Sequence, residues 1–203
     1  MSDQSFQIIL SLCIGLGLSA ACGFRVFLPL FVLSAASMFG DVNLTPGFAW
    51  VAGWPALIAF GTATLMEIAA YYIPWLDNLL DTIASPAAVL AGVLATASTL
   101  GDVSPLIRWS LAIIAGGGLA AVVQAGSVGL RGASTATTGG TGNFLVSTGE
   151  LIFALIFSVL AVLWPLVAVV AAIVVFLVLI RVAMRVLFKR RQSSATVLQT
   201  HSG

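Results

Sequence analysis

The sequence predicts an all-α protein: a polytopic transmembrane helix bundle with broken or re-entrant helices and a weak internal repeat. Three observations carry this. Hydrophobic residues make up 60% of the chain and the mean hydropathy is +1.14, whereas a soluble domain is about 45–50% apolar. Charged residues are only 7% of the 203, so apolar runs of spanning length recur, with room for about five to seven crossings of roughly 20 residues each. The few internal charges lie in or beside apolar or Gly-rich segments, where a charge is costly unless it is paired, protonated or wetted.

The first apolar run, Phe6–Met38, covers 33 residues, about 50 Å if helical and too long for one upright span. Gly23 and Pro29 bracket Arg25, so two helices are expected, at about 6–22 and 24–38. The linker Phe39–Gly53 carries Asp41 and no Lys or Arg; Phe48, Trp50 and Trp54 mark it as interfacial on the extracytoplasmic side. A span at about 54–74 ends at Pro74, and Asp77–Asp81 follows as a short amphipathic turn.

Ser85-Pro86 and Ser104-Pro105 each offer an N-cap hydroxyl followed by proline at the first helical position. They are expected to open helices at about 86–100 and 105–130, the first short enough to be re-entrant. Within the second, Ala112, Gly116 and Ala120 repeat every four residues as a small-residue packing face; the adjoining Gly116-Gly117-Gly118 alternatively marks a local unwinding. Leu130–Thr148 is rich in Gly, Ser and Thr and reads as irregular chain. Ser147-Thr148-Gly149-Glu150 then fits a capping box, making Glu150 a helix-capping residue. Trp164-Pro165 divides the last run into helices at about 148–164 and 165–188. One transmembrane domain, 1–191, is thus followed by a disordered polar tail, 192–203. A shift of 57 residues places Glu67 on Gln124, Gly61 on Gly118, Asp81 on Thr138 and Ser85-Pro86 on Gly142-Asn143. Such repeats build many transporters.

Charge sets the expected orientation. Arg181, Arg185, Lys189, Arg190 and Arg191 crowd the C-terminal end, so that end should face the cytoplasm. This cluster reads as a topology anchor, not a nucleic-acid surface. Cys13 and Cys22 are nine residues apart, on opposite sides of one helix, and cannot bridge. The one histidine, His201, lies in the polar tail; no metal or other cofactor is indicated.

The candidate site is a polar interior formed by Arg25, Glu67, Tyr71, Asp77, Asp81 and Arg131. An unpaired charge at a span centre costs roughly 2.5–3.5 kcal/mol, so each needs a partner, a proton or water. Glu67 and Tyr71, four apart, share a helix face. Two readings stand: a protonatable carboxylate in a wet cavity, or a structural ion pair of Glu67 with Arg25 or Arg131. Asp77 and Asp81 are also four apart and repel unless a cation or a shared proton intervenes. Thr138, Gly139, Gly140, Thr141, Gly142 and Asn143 form a candidate anion-binding loop, although no phosphate-loop lysine follows. No histidine, Gly-x-Ser-x-Gly elbow or metal-ligand cluster points to enzymatic chemistry.

The segments GLSAACGFRVFLPLFVLSA, MEIAAYYIPWLDNLLDTIASPAA, SLAIIAGGGLA and GASTATTGGTGNFLVSTGEL together resemble a bacterial family of small integral membrane proteins, domain of unknown function 4126. The resemblance implies a multi-span fold and transfers no activity. Phe144 stands where proline is expected after Gly-Asn. Phe27-Leu28-Pro29 also resembles the Phe-Leu-Pro of undecaprenyl-pyrophosphate phosphatases, but the histidine and serine-arginine signatures of those enzymes are absent. The leading expectation is a small transporter or permease-like protein, moving a small or lipid-linked anionic solute with proton coupling. A structural or regulatory membrane subunit is the alternative, and an intramembrane lipid-modifying enzyme the third. Membrane lipids are the expected surroundings, with a homo-oligomer compatible with this reading.

Overall fold

The computed structural model describes the backbone of residues 3–70, 74–139 and 141–200, and the side chains of these residues except 74–82, 183 and 186–200. Among them the chain is helical, without strands. The elements are α1 (Asp3–Phe24), α2 (Phe27–Phe39), a 3₁₀ segment (Pro46–Ala52), α3 (Trp54–Ala70), α4 (Pro74–Thr99), α5 (Pro105–Leu111), a π-helical turn (Ala112–Gly117), α6 (Gly118–Thr138), α7 (Asn143–Leu163) and α8 (Pro165–Thr200). Four stretches are long and apolar enough to cross a membrane: α1, Pro105–Thr138, α7 and Pro165–Val182. A fifth is formed if the 3₁₀ segment and α3, bent by 60° at Gly53, count as one span.

Helix α1 is the axis of the bundle, touching α2, α4, α6, α7 and α8. Its second half, Gly17–Gly23, is small and apolar and buried, the pattern of a helix enclosed on every side. Lipid tails are as apolar as leucine, so close van der Waals fit holds such helices together, and small residues permit it. A Cβ on Gly23 would meet Val123 at 2.5 Å and the Ala120 carbonyl at 2.7 Å. The predicted small-residue face is observed: Ala112, Gly116 and Ala120 are buried, and a Cβ on Gly116 would strike Thr96 and the Gly92 carbonyl on α4. The glycine run also departs from α-geometry, as the π-turn that ends at Gly117. There the Ser19 hydroxyl donates to the Gly116 carbonyl, one way a π-turn's misaligned carbonyl is satisfied.

The first apolar run is broken where the sequence indicates. α1 ends at Phe24, Arg25 and Val26 lie outside any helix, and α2 starts at Phe27. Pro29 falls in the first turn of α2, where its missing N–H costs nothing. α2 closes on Gly40 at φ 93°, whose N–H returns to the Ala36 carbonyl, the left-handed cap that glycine adopts without strain. The Trp164-Pro165 division is also present, between α7 and α8.

Five local expectations are corrected. Ser85-Pro86 does not start a helix: α4 runs through it unbroken. Ala88, Ala91 and Ala95 beyond it are packed into the core around α1, and that packing outweighs the one backbone bond proline removes. Leu130–Thr148 is mostly helical, shared between α6 and α7, with a turn at 139–142. The Ser147–Glu150 capping box is therefore interior to α7, which begins at Asn143. The repeat correspondence of Ser85-Pro86 with Gly142-Asn143 fails on the same ground, since one is mid-helix and the other a helix start. Finally, α8 extends to Thr200, past the helix end expected near 188 and into the polar tail.

Candidate functional site

Arg25 occupies the break between α1 and α2 and is 1% exposed. Its Nη2 donates to the Ser147 carbonyl at 2.6 Å and lies 3.4 Å from Glu150 Oε2. Glu150, on the second turn of α7 and 4% exposed, is the hub. Arg131 of α6 approaches it as a fork, with Nε donating to Oε1 at 3.2 Å and Nη2 to Oε2. The Ser127 hydroxyl, one turn before Arg131 on the same face of α6, also donates to Glu150 Oε1. A bidentate guanidinium–carboxylate pair is the strongest of the ordinary polar contacts, and this one joins α6 to α7.

Glu67 is used differently. It reaches from α3 to the start of α2, where its Oε1 accepts from the Val26 N–H at 2.9 Å and its Oε2 from the Phe27 N–H at 3.2 Å. The first N–H groups of a helix have no partner within it, and the helix dipole places partial positive charge there. Glu67 caps α2 from another helix. Neither expected partner, Arg25 or Arg131, is seen to hydrogen-bond its carboxylate oxygens, which take the two backbone N–H groups.

The structure thus brings Arg25 and Arg131 of the predicted polar interior together through Glu150, which the sequence reading set aside as a capping residue, while Glu67 binds the backbone next to Arg25. Tyr71 lies outside the described residues. Asp77 and Asp81 fall on α4, with side chains outside those described. The candidate anion loop is a self-bonded turn. Thr138 closes α6, Gly139 takes a left-handed φ of 64°, and Thr138 Oγ1 accepts the Gly142 N–H at 2.9 Å. Thr141 Oγ1 donates to the Thr138 carbonyl, and Asn143 Nδ2 to Thr135 Oγ1. Gly140 is outside the described residues. The donors that an anion would need are largely committed to the turn itself.

Cys13 and Cys22 are both buried as free thiols. Among the described residues no three His, Cys, Asp or Glu side chains gather as metal ligands.

A model for a domain of unknown function, DUF4126, matches residues 12–185. The chain belongs to the DUF4126 family. No curated protein and no solved structure matches it. The matched region spans the whole charged cluster, from Arg25 to Glu150. Its several long apolar helices make this DUF4126 member compatible with a membrane protein.

Proposed function

We propose that this DUF4126 protein is a structural or regulatory membrane subunit in which the buried charges lock an interrupted helix into the bundle. One observation carries this reading: all four carboxylate oxygens of Glu67 and Glu150 accept hydrogen bonds from the chain itself. Glu150 ties Arg25, at the break after α1, to Arg131 of α6 and to α7, and Glu67 ties α3 to the start of α2. A buried charge network stabilises only when its members satisfy one another, and removal of any member exposes the rest to a large desolvation cost. The exposed apolar side chains of α3, α7 and α8, Leu65, Ile156 and Val174 among them, would face membrane lipid or a further copy of the chain. The C-terminal arginines and lysine support a cytoplasmic position for the end of α8, at a bacterial inner membrane.

Proton-coupled movement of a small or lipid-linked anionic solute is the second reading. It is favoured by Glu67, a half-buried, protonatable carboxylate at a helix break, the kind of intramembrane group that serves proton relays in transporters. Glu67→Gln separates the two. As a lock, Glu67 loses one acceptor and the balancing charge, so the purified variant should melt well below wild type. An equally stable variant with a changed pH response of solute uptake in proteoliposomes would favour transport and contradict the lock.

A further inference from the structure

A second polar region lies at the opposite end of the bundle. A cavity of about 680 Å³ opens where α1 begins, between the chain after α2, the chain after α4 and the α7–α8 junction. Its described lining includes two carboxylates, Asp41 and Asp102, the side-chain amides of Gln7 and Asn43, and apolar walls such as Ile14 and Val162. None of the described lining residues is Lys or Arg. We propose that this cavity binds a primary aliphatic ammonium group, with Asp41 and Asp102 as its counter-ions and the apolar walls receiving the methylene chain.

The volume falls within the range of small-molecule sites, about 300–1,000 Å³. Arg108 commits its Nε and Nη2 to the Leu100 and Gly101 carbonyls, each at 2.7 Å. Thr45 fastens the two acidic loops to each other, its N–H donating to the Ser98 carbonyl at 2.8 Å and its Oγ1 to the Leu100 carbonyl at 3.0 Å. Asp41 and Asp102 are therefore held on a framework and not on independent loops, and preorganisation lowers the cost of binding. A competing ligand class fits less well. A quaternary ammonium is recognised on aromatic faces, and the described lining has none.

The ammonium has two sources, a free diamine or the headgroup of phosphatidylethanolamine. Full-length protein in phosphatidylcholine nanodiscs, titrated calorimetrically with putrescine, tests the site. Binding is expected with putrescine and not with 1,4-butanediol, its neutral counterpart. Asp41→Asn and Asp102→Asn should each weaken it about tenfold, the loss of one charge-assisted contact. In nanodiscs containing phosphatidylethanolamine, competition with putrescine would assign the site to the headgroup, and unchanged affinity would assign it to a free amine. Either supports the ammonium site. No putrescine binding, equal binding of butanediol, or affinity unmoved in both variants would overturn it.

Discussion

At the end of the bundle where α1 breaks, Arg25, Arg131 and Glu150 are bonded to one another, Glu67 is bonded to backbone, and Arg25 is 1% exposed. At the end where α1 begins, Asp41 and Asp102 line an open cavity whose described walls carry no cation. The same few polar residue types have opposite fates because of what surrounds them. A charge enclosed by α1, α6 and α7 cannot reach water and must be matched internally, whereas a charge on a loop beyond the helix ends remains hydrated and open to a ligand. Depth, more than residue type, separates architecture from recognition in this molecule.

That contrast can be broken most directly at Glu150. Glu150→Gln should leave Arg131 and Arg25 without their shared carboxylate, and loss of one member of a buried pair typically costs about 3–5 kcal/mol. Thermal unfolding in detergent should show a large drop; a melting curve like that of wild type would mean that the network is hydrated and not a lock. A smaller effect is expected at Gly23, which lets α1 approach α6. Gly23→Ala should cost about 1–3 kcal/mol by overpacking, because its Cβ meets a backbone carbonyl that cannot move aside. Gly118→Ala is the control: nothing lies within 4 Å of its Cβ, and the exchange should be neutral or stabilising by about 0.4–1 kcal/mol. Equal losses in both would show that helix packing at Gly23 is not special. The smallest effect is expected at the cavity end, where Asp41→Asn and Asp102→Asn should each stay within about 0.5 kcal/mol of wild type. Strong destabilisation by either would make the cavity carboxylates structural too.

Much of the architecture is legible in composition and in helix breakers. The interruption at Arg25, the small-residue face Ala112–Gly116–Ala120 and the division at Trp164-Pro165 follow from residues whose backbone effect is local. Ser85-Pro86 and Leu130–Thr148 were not legible, for one reason. Proline, glycine, serine and threonine weaken an isolated helix, but close packing against α1 and a buried ion pair restore it here. The same stretch hid Glu150. Its position three residues after Ser147 mimics a capping box, and only the true start of α7 at Asn143 puts it inside the helix, opposite Arg131. Glu67 stands out in the sequence as a charge within an apolar run, but its acceptance of α2's first N–H groups depends on tertiary placement across about 40 residues of chain, which no helical spacing encodes.

The central claim is that Arg131 and Glu150 stabilise the bundle as a pair. A double-mutant cycle with Arg131→Met and Glu150→Gln, read as unfolding free energy in mixed detergent micelles, tests it most directly. Each single variant should be strongly destabilised. The double variant should recover part of the loss, with a coupling energy of about 2 kcal/mol, within the range for side chains in contact. Two single effects that simply add, to within about 0.3–0.5 kcal/mol, would show that the two residues act independently and would contradict the lock.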